Sequence, residues 1–293
     1  MSERYVKYYE IGKVPFSVET PYEYEEKPPY SLFSSERRDA GCRYVFSLED
    51  SLPEPDGKFL FEDQNYRAYL RGGYIYRYAG FYADGKELSP PYALIRYPSA
   101  GAGRIDVTIP EDADIPRNSA FVYKCLCIEH LITASGALIF HTSYIITDKG
   151  AILFTAPSGT GKSTQAELWR RHRGARVING DCSIVRVEDG AATAYGIPFS
   201  GTSGICFNES APLRAIVYLT QAPENRIERI GGMRAFGLLM EGVKVNTWNR
   251  SDAEIMTNTL ADIVKTAPLF KLDCVPDESA VKILETELDK YQI

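Results

Sequence analysis

Hydrophobic and polar positions alternate with a period of two through much of the first hundred residues. In the run Tyr74-Ile75-Tyr76-Arg77-Tyr78, the three tyrosines share one face of a strand and Ile75 and Arg77 the other. Turn signals punctuate these runs at Pro28-Pro29, Asp56-Gly57, Gly72-Gly73, Asp84-Gly85 and Gly101-Ala102-Gly103. Short alternating strands joined by tight turns predict an antiparallel β-rich domain of hairpins over residues 1–115. Residues 109–116, with two prolines and three acids, read as the linker that follows. Fifteen of the 20 tyrosines precede residue 100. Such a ladder would serve as a peptide-docking surface or as half-buried sheet packing; packing is the plainer role, because cross-strand aromatic pairs are ordinary sheet stabilisers.

The pattern then changes. Residues 119–132 place Phe121, Leu126, Ile128, Leu131 and Ile132 on what reads as one buried helix. Two apolar runs follow, 137–147 and 151–156, separated only by Asp148-Lys149-Gly150. A connection that short folds straight back, so these strands are expected to be antiparallel neighbours. A glycine-rich loop comes next, then a helix over 162–173 with Gly174 as its C-cap, then a strand over 175–179. A strand–helix–strand unit of this length predicts a right-handed crossover with the two strands parallel. A hairpin over 183–187 and 191–195, a strand over 214–219 and a helix over 253–266 complete the second domain, residues 116–293.

The most specific motif is Ala156-Pro157-Ser158-Gly159-Thr160-Gly161-Lys162-Ser163-Thr164. It fits G-x-x-x-x-G-K-[ST] with alanine at the first position. Gly159 and Gly161 permit positive φ, so successive backbone N–H groups can turn inward around a phosphate. The helix that opens at Lys162 aims its dipole at the same anion. In this arrangement Lys162 reaches the β- and γ-phosphates and the Ser163 hydroxyl ligates Mg2+. A second metal ligand is expected from Asp181, which follows the 175–179 strand and emerges at the carboxyl end of the sheet, where ligands bind in such folds. Gly180-Asp181 also reads as a turn. His141, one of three histidines, lies on the strand before the loop; a histidine in an apolar strand is by itself most simply a packed side chain. The later stretch Phe199-Ser200-Gly201-Thr202-Ser203-Gly204-Ile205 is either a second anion nest or a flexible turn. Arg176 is either a phosphate partner or half of a strand-edge ion pair.

Composition narrows the class. The chain has 293 residues, 44% of them hydrophobic and 25% charged, which fits two globular domains and excludes wholesale disorder. The net charge is −6, with no basic tract, so nucleic acid is not an expected partner. There is no apolar run of membrane-spanning length, and the start Met1-Ser2-Glu3-Arg4-Tyr5 lacks the apolar core of a signal peptide; a cytoplasmic protein is expected. Six cysteines, none in a CxxC pair, read as buried free thiols. Cys125 and Cys127, two apart, would face different sides of a helix; a metal clamp there is the lesser reading, because a zinc site usually needs four matched ligands.

The sequence resembles the HPr kinase/phosphorylase family, related to phosphoenolpyruvate carboxykinase. The likeness rests on His141 fifteen residues before Ala156, on Ser158-Gly159-Thr160-Gly161-Lys162-Ser163, on the hairpin ahead of the loop, and on Arg176-Val177-Ile178-Asn179-Gly180-Asp181. It covers about residues 137–220. It implies a mixed-sheet α/β (α+β) P-loop kinase domain and an ATP- and Mg2+-dependent transfer of the γ-phosphate to a hydroxyl, on the serine of a peptide, a protein or a small molecule. It also implies Ser158, Gly159, Thr160, Gly161, Lys162, Ser163 and Thr164 around the nucleotide, Ser163 and Asp181 on the metal, and Asp181, His141 and Lys162 in catalysis. Family members form ring-shaped homo-oligomers, so the resemblance points to a homo-oligomer, while the residues themselves leave the oligomeric state open. Two departures stand out: the family's paired aspartates become Gly180-Asp181, and residues 1–115 do not resemble its sensor domain. The first leaves a non-catalytic nucleotide-binding module as the rival reading. A carboxykinase proper is disfavoured by the short chain.

Overall fold

The computed structural model describes residues 4–291; the first three residues, on which the expectation about export partly rests, lie outside them. The chain divides into two compact units. One takes residues up to Ser135 together with Asn246–Glu254, and the other takes Gly136–Val245 and residues from Ile255 onward. Residues 109–116 lie inside the first unit.

The first unit is built on an eight-stranded sheet: β1 (Tyr5–Ile11), β2 (Val14–Thr20), β3 (Cys42–Glu49), β4 (Lys58–Glu62), β5 (Tyr66–Arg71), β6 (Tyr74–Ala83), β7 (Lys86–Pro98) and β8 (Arg104–Pro110), in the order β1-β2-β3-β8-β7-β6-β5-β4. Hairpins form where two consecutive residues accept positive φ, at Gly12-Lys13, Gly72-Gly73 and Asp84-Gly85. The sheet is nevertheless mixed rather than antiparallel, because β3 runs parallel to both β2 and β8. A parallel pair needs a long connection. Residues 21–41 supply one, and the β4–β7 hairpins, inserted between β3 and β8, supply the other. Tight-turn signals report neither.

The tyrosines mostly pack. Tyr44, Tyr66, Tyr78 and Tyr97 are buried, and the Arg77 guanidinium sits 3.5 Å from the Tyr66 ring centroid. The helix expected over 119–132 is two short ones, α1 (Ser119–Lys124) and α2 (Ile128–Ala134). They break at Cys127, whose φ is +46°. The Leu126 carbonyl, next to the break, accepts from the Tyr44 hydroxyl at 2.6 Å. A tertiary bond there competes with helix continuation. Residues 246–254 return to this unit. Trp248 stacks on Phe61, with ring centroids 5.9 Å apart. The Asp252 carboxylate meets buried His130 Nδ1 at 2.9 Å.

The second unit contains β9 (Ala137–Thr147), β10 (Gly150–Thr155), α3 (Lys162–Arg173), β11 (Arg176–Asn179), β12 (Cys182–Glu188), β13 (Ala191–Tyr195), β14 (Ser210–Gln221), β15 (Arg226–Ile230), α4 (Gly232–Met240), β16 (Val243–Lys244), α5 (Arg250–Thr266, entered from residues 246–254), β17 (Leu269–Cys274) and α6 (Glu278–Lys290). The mixed sheet runs β10-β9-β12-β13-β14-β17-β15, and β10 also pairs with β14 in parallel. β9 is long enough to serve two sets of partners. Its carboxyl half pairs with β10 and β11, and its amino half with β12 and β16. β10 and β11 therefore point the same way, as expected of a crossover, but β9 lies between them. Alternation along β10 divides the core. Ala151 and Leu153 pack with Met256, Leu260 and Ile263 of α5; Ile152 and Phe154 pack with Trp169 of α3 and Leu284 of α6. The result is an α/β unit with helices on both faces of the sheet. No helix among the described residues is long and apolar enough to cross a membrane.

Candidate functional site

β10 ends at Thr155, and the next six residues form the loop into α3. Gly159 has φ +78° and Gly161 φ +110°, conformations that an L side chain rarely adopts. Gly161 occupies the N-cap of α3 and makes no side-chain cap, so the first N–H groups of this 12-residue helix are left for an outside acceptor. Gly174 closes the helix in the left-handed region at φ +64°, as the sequence led us to expect.

Lys162 curls back and is buried. Its Nζ donates to the carbonyls of Ala156 at 3.0 Å and Pro157 at 3.3 Å. Burial lowers the pKa of this ammonium, and the Asp181 charge opposes only part of the effect.

Asp181 follows β11, and its position is set by Asn179. The Asn179 amide oxygen accepts from the N–H groups of Asp181 and Cys182, both at 2.9 Å. Its amide nitrogen donates to the carbonyls of Ile197 and Phe199, also at 2.9 Å. One buried side chain therefore fixes both the turn that presents Asp181 and the segment leading to Gly201. The Asp181 carboxylate accepts from the Cys182 thiol at 2.9 Å and lies 3.5 Å from Lys244 Nζ. Burial pushes its carboxyl pKa up, but the Cys182 hydrogen bond, the Lys244 charge and His141 outweigh burial and leave it below the usual range. The Cys182 thiol is pushed up to about 12, mainly by burial. Lys244 donates to that sulfur at 2.9 Å, and its own pKa is raised because Cys182 and Asp181 outweigh its burial.

His141 approaches Asp181 twice. Nδ1 is 2.9 Å from the Asp181 carbonyl oxygen and 3.4 Å from Oδ1. Burial and the nearby Lys162 charge lower its pKa, against the pull of Asp181.

His141, Ser158, Gly159, Gly161, Lys162, Ser163, Thr164, Gly180, Asp181, Thr202 and Ser203 line one cavity of about 340 Å3. Of the residues expected from the sequence to bind nucleotide or metal or to act in catalysis, all line it except Thr160, which lines the neighbouring cavity. A single 3₁₀ turn, Gly201–Ser203, closes one side. The Ser203 hydroxyl, bonded to the Ser200 carbonyl and the Ile205 N–H, fills the space a side chain at position 180 would need: a Cβ on Gly180 would lie 2.6 Å from Ser203 Cβ. Arg176 stays outside the cavity and pairs with Glu209, the strand-edge role. All six cysteines are buried free thiols.

Three residues here were not singled out from the sequence. Asn179 is legible in hindsight as an Asx turn in Asn-Gly-Asp. Cys182 is merely adjacent to Asp181. Lys244 had no signal; it arrives on a two-residue strand that pairs with the amino half of β9. With His141 and Asp181, Cys182 forms the one His/Cys/carboxylate group of three among the described residues whose ligand atoms all lie within 4.8 Å of one another.

The oxygen donors of Ser163 and Asp181 suit Mg2+, and the glycine turn, helix terminus and buried ammonium suit a polyphosphate. No protein-family profile matches the chain, and no curated protein does. Among solved structures, the HPr(Ser) kinase/phosphatase from Coxiella burnetii is similar over 53% of this chain and 95% of its own, at 14% identity and a TM-score of 0.29. A likeness this remote carries no weight, so the site is read from its own side chains.

Proposed function

We propose that this protein is a Mg2+-dependent kinase that transfers the γ-phosphate of ATP to a hydroxyl, on the serine of a peptide, a protein or a small molecule. The observation that supports it is the single cavity that brings Lys162, Ser163, Asp181 and His141 around two glycines of positive φ. Lys162 and the loop N–H groups neutralise charge on the transferred phosphoryl group. Ser163 and Asp181 hold the metal, which supplies further charge neutralisation when bound. His141, neutral at Nε2, takes the proton of the acceptor hydroxyl, and its bond to the Asp181 backbone keeps ring and carboxylate in register. The protein contributes placement, charge stabilisation and a proton acceptor, and forms no covalent bond to the phosphoryl group.

The rival is a nucleotide-binding module without turnover. One observation favours it: Gly180 leaves a single carboxylate where two would divide metal binding and base work. The test is Asp181→Asn, with ATP binding measured by calorimetry and transfer by mass spectrometry on serine-containing peptides and free serine. The kinase reading expects binding within about tenfold of the parent and transfer reduced at least ~100-fold. Retained transfer in the variant, or tight ATP binding with no acceptor ever modified by the parent, defeats it.

A further inference from the structure

A second cavity, of about 560 Å3, adjoins the first and shares Gly159, Gly161 and Thr164 with it. It lies past the carboxyl ends of β14 and β17, where Gln221-Ala222 and Cys274 form its walls. Both strands run parallel to β10, which feeds the phosphate loop, so the two cavities open along the same edge of the sheet. Its volume is that of a small-molecule site.

One side chain in its wall is incompletely satisfied. Gln165, one turn into α3, is only 2% exposed. Its Nε2 donates weakly to Cys274 Sγ at 3.4 Å, while its Oε1 is buried without any hydrogen-bond partner. A buried amide oxygen left bare is unfavourable and calls for an N–H donor. The loop geometry independently puts a polyphosphate next door, so the donor is expected on whatever the polyphosphate carries.

We infer that the second cavity is the base subsite of the nucleoside triphosphate, and that Gln165 selects adenine by accepting from its exocyclic 6-amino group. The inference rests on the phosphate reading above and adds to it the cavity that holds the base and the side chain that reads it. A carboxamide pairs with adenine through its amine and an adjacent ring nitrogen. Guanine and hypoxanthine present a carbonyl oxygen at the same position, which would face Oε1 acceptor to acceptor. Gln221 also lines the cavity, and its Nε2 reaches the Gly159 and Thr160 carbonyls at 3.4 and 3.5 Å; it is tied to the phosphate loop rather than to the base.

The test is calorimetric binding of ATP, ITP and inorganic tripolyphosphate, each with Mg2+, to the full chain and to two variants. ITP differs from ATP in the group Gln165 would read, and tripolyphosphate lacks a base. The parent is expected to bind ATP about tenfold or more tighter than ITP or tripolyphosphate. Gln165→Met should bring ATP to the level of ITP and leave tripolyphosphate unchanged, which also reports that the variant is folded. Ala222→Trp, which fills the cavity, should weaken ATP and ITP but not tripolyphosphate. Equal binding of all three ligands by the parent, or an Ala222→Trp protein that binds ATP as before, overturns the base subsite while the phosphate reading stands. If tripolyphosphate and ATP both fail to bind, the phosphate reading falls and the base subsite with it.

Discussion

His141 Nδ1 lies 2.9 Å from the backbone carbonyl oxygen of Asp181. A carbonyl only accepts, so the nitrogen facing it carries the proton and Nε2 keeps its lone pair. Burial and Lys162 hold the imidazole pKa below its usual 6.5. A base of this kind works when deprotonated, so turnover should fall as the pH drops below 6.5 and through the folded pKa. Stability shifts in the same direction: over that window the unfolded chain binds more protons, and this part of the stability is lost on acidification. His141→Asn keeps a donor for the Asp181 carbonyl and removes Nε2. It should cost about 10²–10⁴ in kcat, leave ATP affinity within about twofold and abolish this acid limb. A pH–rate profile whose acid limb survives in the variant would sink the assignment.

Lys162 is buried with only carbonyl oxygens on its ammonium. Removing a buried charge that has no firm counter-ion does not destabilise a fold. Lys162→Met should therefore melt at or above the parent temperature without ligand. Its affinity for ATP with Mg2+ should drop about 10- to 100-fold, and the ligand-induced rise in Tm should shrink accordingly. A variant that loses several degrees of Tm alone, with ligand affinity intact, would make this lysine a structural one.

Gly180 and Ser203 compete for one volume. Gly180→Asp, which would supply a second carboxylate, should cost about 1–3 kcal/mol by overpacking against the 3₁₀ turn. Adding Ser203→Gly should return most of that cost. Urea unfolding of the four proteins in the cycle measures the coupling, and strict additivity would rule out the steric account.

Asn179 makes four hydrogen bonds from a buried position. Asn179→Ala strands the N–H groups of Asp181 and Cys182 and takes a donor from the Phe199 carbonyl, while the Ile197 carbonyl keeps the Cys206 thiol at 3.0 Å; the expected loss is about 2–4 kcal/mol by denaturant titration. Because the Asp181 turn loosens with it, kcat should fall even at temperatures where the variant stays folded. A loss below about 1 kcal/mol with unchanged kcat would show that the surrounding backbone holds the turn unaided.

The glycine-rich turn before α3, the helix itself and its C-cap at Gly174 could be read from the sequence because they are local: glycine φ values and a helix start lie within a few residues of each other. The hairpins at Gly72-Gly73 and Asp84-Gly85 were legible for the same reason. What escaped depends on long-range pairing. The parallel placement of β3 is decided by β2, whose paired residues lie about 26 positions earlier, and by β8, about 60 positions later, and no turn chemistry encodes it. Lys244 reaches Asp181 across 63 positions through a two-residue strand too short to show any periodicity. The break at Cys127 depends on a hydroxyl 82 residues away, so apolar spacing alone extended the helix through it.

Residues 246–254 supply Trp248 and Asp252 to the first unit, although the chain on either side of them builds the second. Neither half of the protein can therefore be obtained whole by one cut. A fragment ending at Ser135 would expose the Phe61 ring and leave His130 without its carboxylate, whereas a fragment starting at Gly136 would carry a stray segment whose docking partners had been discarded. Synthesis order adds a further constraint: as the ribosome extends the chain, the amino-terminal sheet must wait for more than a hundred residues before its last piece emerges.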